Sequence, residues 1–198
     1  LPNDEALLVR ARVESVDDNG RRALICQQIV TGTKTHPDAL VARMYALVPL
    51  AKGESQNTGD SPPPQKKKSK VRAPDDAREV AYWKLRASDG LSFAKLTGDF
   101  NPVHWVPAYA RAFGFRNTIL HGFATMARAI ESLKRNVYCA DASQLDRIDV
   151  QFTSPLVLPA RVGLYLKNQT IHVADGPGGR AYLKGAFGDS STKTTEES

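Results

Sequence analysis

Residues 93–110 read FAKLTGDFNPVHWVPAYA, and the fold of the chain turns on how this stretch is read. Asp99 and His104 stand five residues apart between two short predicted helices. Gly98 frees the backbone immediately before Asp99. Pro102 fixes φ between the two polar side chains and biases Asn101 to an extended conformation. A loop restrained in this way holds a carboxylate and an imidazole toward one point, an arrangement suited to moving protons to and from a shared water. Spacing alone leaves a plainer reading open. In it Asp99 caps a helix, His104 lies on the surface, and Asn101 stabilises a turn through its own side chain.

Outward from this stretch, REVAYWKLRA (78–87) reads as a strand. Ser88 is placed to cap a short helix running to Thr97 and closed by Gly98. Pro107 suits the first turn of another short helix, with Gly114 as its stop. Then Ile119, Phe123, Met126, Ile130 and Leu133 recur at alternating steps of four and three, which predicts a long amphipathic helix. Lys134 and Arg135 suit its C-terminal end. Strands follow near 147–153, 160–167, 169–174 and 180–187, with turns at Ser154-Pro155 and Gly176 to Gly179. A long helix followed by consecutive strands predicts an α+β domain in which an antiparallel sheet wraps on a helix.

The N-terminal part has a different grammar. LLVRARVESV (7–16) alternates as a strand does, and DDNG (17–20) is a hairpin signal because Asn and Gly both tolerate positive φ. RRALICQQIVTG (21–32) is the return strand, and DALVARMYALVPL (38–50) reads as a third strand ending at Pro49. Residues 51–76, AKGESQNTGDSPPPQKKKSKVRAPDD, offer almost nothing to bury and are expected to be a flexible linker. The expected organisation is therefore an N-terminal segment of strands over 1–50, a linker over 51–76, a principal domain over 77–189, and a disordered tail over 190–198.

The chain has 198 residues, 41% of them apolar, and a net charge of +6. Lys66, Lys67, Lys68, Lys70 and Arg72 carry +5 of that within residues 61–74, which leaves +1 for the rest. A nucleic-acid footprint spreads over a folded face or a helix, so this tether argues against a nucleic-acid partner. No run of about 18 apolar residues predicts a membrane span, and no basic-then-apolar leader opens the sequence. The first residue is Leu1 rather than Met, as expected of a trimmed chain or a piece of a longer one. Cys26 and Cys139 belong to no CxxC motif and are expected to be reduced core thiols of an intracellular, cytoplasmic protein. His36 and His172 belong to no constellation and are expected at the surface. Four dispersed histidines and two distant cysteines show no zinc spacing, so no metal is expected.

The pattern aromatic-x-x-Leu-Thr-Gly-Asp-x-Asn-Pro-Val-His, then five residues and Ala, closely resembles the signature of MaoC-like, R-specific enoyl-CoA hydratases (hydratase 2). Phe93, Leu96, Thr97, Gly98, Asp99, Asn101, Pro102, Val103, His104 and Ala110 carry it. ILHGFATMA, with His121-Gly122 opening the long helix, and RIDVQFTSPLVLPARV (147–162) extend the likeness, which covers roughly residues 78–188. One departure is Val106, where the family often has an acidic helix cap, so the cap of the following helix is expected to be weak. Trp105 is expected either to line a pocket or to pack in the core.

The resemblance implies a hot-dog fold, a long helix enclosed by an antiparallel sheet, with a partial first hot-dog repeat at the N-terminus. It implies a hydro-lyase of fatty acid metabolism in which Asp99 and His104 hold the catalytic water. The N–H of Gly122 at a helix start is the expected donor to the thioester oxygen, with Asn101 beside it in substrate binding. His121 is expected to be structural. No cofactor is expected beyond the coenzyme A or phosphopantetheine of an acyl-CoA or acyl-carrier substrate. A homodimer or larger assembly is expected, because hot-dog sheets expose long edges. Two rival readings stay open: a hot-dog thioesterase, and a non-catalytic acyl-binding or assembly module.

Overall fold

A computed structural model of the chain describes residues 4–50, 70–139 and 145–188. The chain divides into two compact units, Leu1–Gln65 and Lys66–Ser198, and each is described by itself.

The first unit is an antiparallel meander of β1 (Leu8–Asp18), β2 (Arg22–Gly32) and β3 (Leu40–Pro49), in the order β1-β2-β3. Its hairpin differs from the expected Asn-Gly turn. The Asn19 N–H donates to the Arg22 carbonyl at 3.3 Å, so Gly20 and Arg21 are the central pair. Only Gly20 has positive φ, at 76°, because the Asp18 and Asn19 carboxyl and amide oxygens accept the N–H groups of Gly20, Arg21 and Arg22. The register also sorts the apolar residues. Side chains directly paired across strands share a face. Val13, Gln27 and Met44 lie on one side with Val9, Ile25, Ile29 and Val48. Val41 pairs with Val30, and Leu47 with Leu24, on the other side, beside Arg12, Gln28 and Arg43. That second face holds a polar network in which Glu14 accepts from Arg43 and Gln28 at 2.8 Å each.

The second unit runs β4 (Arg78–Leu85), α1 (Asp89–Thr97), a short 3-10 turn (Pro102–His104), α2 (Pro107–Ala112), α3 (Gly122–Asn136), β5 (Arg147–Phe152), β6 (Ala160–Lys167), β7 (Thr170–Ala174) and β8 (Ala181–Gly188). Its five strands form one antiparallel sheet in the order β4-β6-β7-β8-β5. Val162 and Leu164 of β6, Ile171 and Val173 of β7, and Leu183 of β8 are buried against Ala124, Ala129 and Leu133 of α3. Each such aliphatic side chain contributes about 1.5–3 kcal/mol. This is the α+β architecture that the resemblance implies.

The long helix starts later than its stripe predicts. Ile119 precedes α3 and forms an antiparallel bridge with Val157. Phe123 is half exposed, and the buried face is Ala124, Thr125, Ala129, Ser132 and Leu133. Leu133 is the one large residue of that face, and small side chains fill the rest of it and let the helix lie close to the sheet.

Other expectations meet corrections. Ser88 sits at the N-cap of α1 but makes no side-chain capping bond, whereas Gly98 closes the helix in the left-handed conformation at φ 78°. Of the expected linker, 51–69 fall outside the described residues. Residues 70–77 are instead folded over the outer face of the sheet: Ala73 and Ala77 are buried beside Tyr165, Ala174 and Ala181, and Arg72 donates to the Gly178 carbonyl at 2.6 Å. The expected tail, 190–198, also lies outside the described residues. Both cysteines are free, but only Cys26 is buried; Cys139 is exposed and is no core thiol. His36 is exposed as expected, but His172 is half buried between strands.

Candidate active site

The loop between α1 and α2 is built from nested side-chain turns. Asp99 Oδ1 accepts the Asn101 N–H at 3.2 Å, and Asn101 Oδ1 accepts the Val103 N–H at 3.3 Å. Asn101 thereby caps the 3-10 turn that Pro102 begins, and that turn delivers His104. The Trp105 indole closes the loop by donating to the Phe100 carbonyl at 3.1 Å; its ring is partly exposed, so it is not a core residue. Val106 then starts α2 with no capping side chain, as its identity predicts.

Two contacts hold the loop against the rest of the unit. The Ile119 N–H donates to the Val103 carbonyl at 3.2 Å, while His104 Nδ1 lies 2.8 Å from the Ile119 carbonyl. A carbonyl only accepts, so Nδ1 carries the hydrogen and Nε2 of the neutral ring keeps its lone pair. Behind the loop, α1 approaches so closely that a Cβ on Gly90 would stand 2.0 Å from the His104 carbonyl oxygen. Sequence reasoning missed Gly90. Its one signal is a glycine in the first turn of a helix, where alanine is favoured by about 1 kcal/mol.

His121 joins the two named residues. It is 3% exposed, its ring stacks on His104 at 3.6 Å with 22° between planes, and Phe93 lies 4.9 Å away. Its Nε2 is 3.1 Å from the Asp99 carbonyl and 3.7 Å from Asp99 Oδ2. Asp99, His104 and His121 each bring one polar atom within 4.8 Å of the others. Two hydrogen bonds of about 2.8 Å from one water span such a separation when bent. One nitrogen of each stacked ring is already turned to a backbone carbonyl.

Gly122 opens α3, and its N–H has no acceptor within the helix. A Cβ at this position would meet the Phe152 ring at 3.0–3.1 Å. Phe152, at the end of β5, stands edge-on to Phe123 at 6.0 Å, and both rings are half exposed. The four named residues are thus placed on one loop and on the helix start that follows it. Asp99, His104 and, through His121, Gly122 are brought together, while Asn101 spends its oxygen on the loop itself.

The MaoC like domain matches residues 56–177. The chain belongs to the MaoC-like family. It is 31% identical over 175 residues to a 3-hydroxyacyl-thioester dehydratase X of Mycobacterium tuberculosis, covering 88% of this chain and 55% of that one. It is 29% identical over 152 residues to the enoyl-CoA hydratase ChsH3 of the same organism, covering 77% and 51%. Its fold matches the crystal structure of a MaoC-like dehydratase from Phytophthora capsici with a TM-score of 0.69 at 21% identity, over 93% of this chain and 64% of that one. The chain spans about half the length of the curated relatives it matches. Among the described residues of this MaoC-like chain, no helix is long and apolar enough to cross a membrane.

Burial pushes the His104 imidazole below the ordinary histidine value of 6.5. The Ile119 carbonyl opposes this, the nearby His121 adds to it, and Asp99 opposes it more weakly. In this MaoC-like site the ring is therefore neutral at pH 7, which is the form that accepts a proton.

Proposed function

We propose that this chain reversibly hydrates a trans-2-enoyl thioester to the (R)-3-hydroxyacyl thioester. The observation that carries the reading is a neutral His104, its Nδ1 turned to the Ile119 carbonyl, within 4.8 Å of Asp99, with Gly122 opening α3 next to His121. His104 Nε2 takes a proton from the shared water as its oxygen bonds to C3 of the enoyl group. Asp99 accepts the other O–H and fixes the direction of attack. The thioester oxygen gathers negative charge and is held by the Gly122 N–H at the positive end of α3. The proton on His104 then passes to C2, so water is added across the double bond and the base is restored. Asn101, whose Oδ1 is held by the Val103 N–H, offers its amide hydrogens to the substrate. Coenzyme A or a carrier phosphopantetheine is the handle of that substrate, which supports an intracellular setting in fatty acid metabolism.

Incubation with crotonyl-CoA tests this directly. Loss of the conjugated enoyl absorbance without release of free thiol is expected. Thiol release would favour a thioesterase, and silence on short and long enoyl-CoA alike a binding module. The same assay across pH carries a second sign. His104 acts when neutral and its value is lowered by burial, so kcat/KM should hold through pH 7 and fall as pH drops, with a midpoint below 6.5. A midpoint above 7 would contradict a buried, neutral base.

We also infer that the first unit is part of a hot-dog repeat and that the chain assembles as a dimer or larger. Leu8, Val9, Val13, Val16, Leu40 and Val41 remain exposed on its sheet, and apolar strands of this kind seek cover. Light scattering at tens of micromolar should give at least twice the chain mass; a fully active monomer would refute it.

A further inference from the structure

We propose that His121 is a positioning residue that sets both members of the Asp99–His104 pair at once, an inference that rests on the hydratase reading. Three contacts carry it. The His121 Nε2–H donates to the Asp99 carbonyl at 3.1 Å, so it anchors the backbone from which the carboxylate projects. Its ring face lies 3.6 Å from the His104 ring, nearly parallel, so it blocks rotation of the base about its own side chain. Phe93 of α1 also packs on the His121 ring, at 4.9 Å and tilted by 50°.

The simpler role, a residue that merely starts α3, does not account for the chemistry present. His121 occupies the N-cap position, yet its side chain makes no capping hydrogen bond. Its Nδ1 is buried with no partner among the described residues. A buried, unsatisfied nitrogen is unfavourable, and phenylalanine would fill the same slab without it. A histidine held at that cost does something with its other nitrogen, and that nitrogen reaches Asp99.

The two ring orientations interlock. Because the Asp99 carbonyl only accepts, the Nε2 of His121 carries a hydrogen. Because the Ile119 carbonyl only accepts, His104 is fixed in the opposite sense, with its hydrogen on Nδ1. The two rings therefore stack with opposite nitrogens turned to backbone carbonyls, Nε2 of His121 and Nδ1 of His104. The water-facing nitrogen of His104 is left as the lone-pair donor.

Two variants of the full chain separate the parts of this role. His121→Phe keeps the slab and removes the donor; His121→Gln keeps a donor and removes the ring. Each should lower kcat for enoyl-CoA hydration by at least about tenfold, with KM within threefold, because small displacements of a reacting group are felt mainly in turnover. A second readout is independent of turnover. Imidazole nitrogen NMR of the wild-type chain should show His104 in one tautomer, with hydrogen on Nδ1, and His121→Gln should average it between both. Variants that keep kcat within twofold and an unchanged His104 pattern, whatever their melting temperature, would overturn the proposal. Loss of kcat only in proportion to lost folded protein would do the same. If the wild-type chain hydrates no enoyl thioester, the hydratase reading fails, while the NMR comparison still decides whether His121 fixes His104.

Discussion

His104→Ala and Asp99→Asn should each leave a folded chain with hydration reduced about 10²–10⁴-fold, the usual contribution of a general acid–base group. Asparagine keeps an oxygen to accept the Asn101 N–H, so the nested turn survives and only the carboxylate is lost. Asp99 is about half exposed, and an exposed substitution of this kind costs within about 0.5 kcal/mol of stability. The His104→Ala variant loses the bond to the Ile119 carbonyl, and its melting temperature should fall somewhat more. The informative measurement is the double variant. Both groups address one water, so its loss should be close to that of the worse single variant rather than the product of the two. A product of the two losses would mean that the residues act in separate steps. A kcat near wild type in either single variant would remove that residue from the mechanism.

Gly90→Ala should be the most damaging small substitution in the second unit. In an ordinary helix the change stabilises by about 1 kcal/mol. Here the new methyl would stand 2.0 Å from the His104 carbonyl oxygen, a backbone atom with no rotamer to escape into. Either α1 retreats or the turn carrying His104 moves, and overpacking of this kind costs about 1–3 kcal/mol. The sign of the stability effect is therefore reversed. A shift of about 1 Å in the base also costs about 10²-fold in rate. Melting temperature and kcat should fall together. An alanine variant as stable as wild type with full kcat would show that α1 yields freely and does not hold the loop.

The loop and its sheet were legible because their signals are local. Gly98, Asn101 and Pro102 each do in the structure what their backbone preferences predict, and the strands after α3 fall within a residue of their expected bounds. What escaped was contact between segments distant in the chain. Nothing near Gly90 in sequence announces the carbonyl it must avoid, since His104 arrives only when the loop folds back. The apolar stripe over 119–133 pointed to the right helix but only partly to its buried side: Leu133 is buried and Met126 packs on the core, while Phe123 is half exposed. The rest of that side is filled by small residues, Ala124, Ala129 and Ser132, which admit the sheet. Residues 70–76 read as linker because they offer almost nothing to bury, yet Ala73, too small to register as a core, is buried all the same. Sorting Val41 and Leu47 from Met44 needed the strand register, which a list of apolar residues does not contain.

The Phe152 ring resting on Gly122 has a consequence for how such a site changes over time. The glycine is not there for its backbone freedom, since its φ lies in no region closed to other residues. Alanine would serve a helix start as well or better by about 1 kcal/mol. What weighs against alanine is a side chain thirty residues away, on β5, whose half-exposed ring would have to give by a few tenths of an ångström. A mutation at 122 that arrives first has to push an aromatic ring aside. The same mutation arriving after Phe152 has shrunk has no ring to move. The two positions are thus coupled in order as well as in identity, and the easier route between two such sequences runs through 152 before 122.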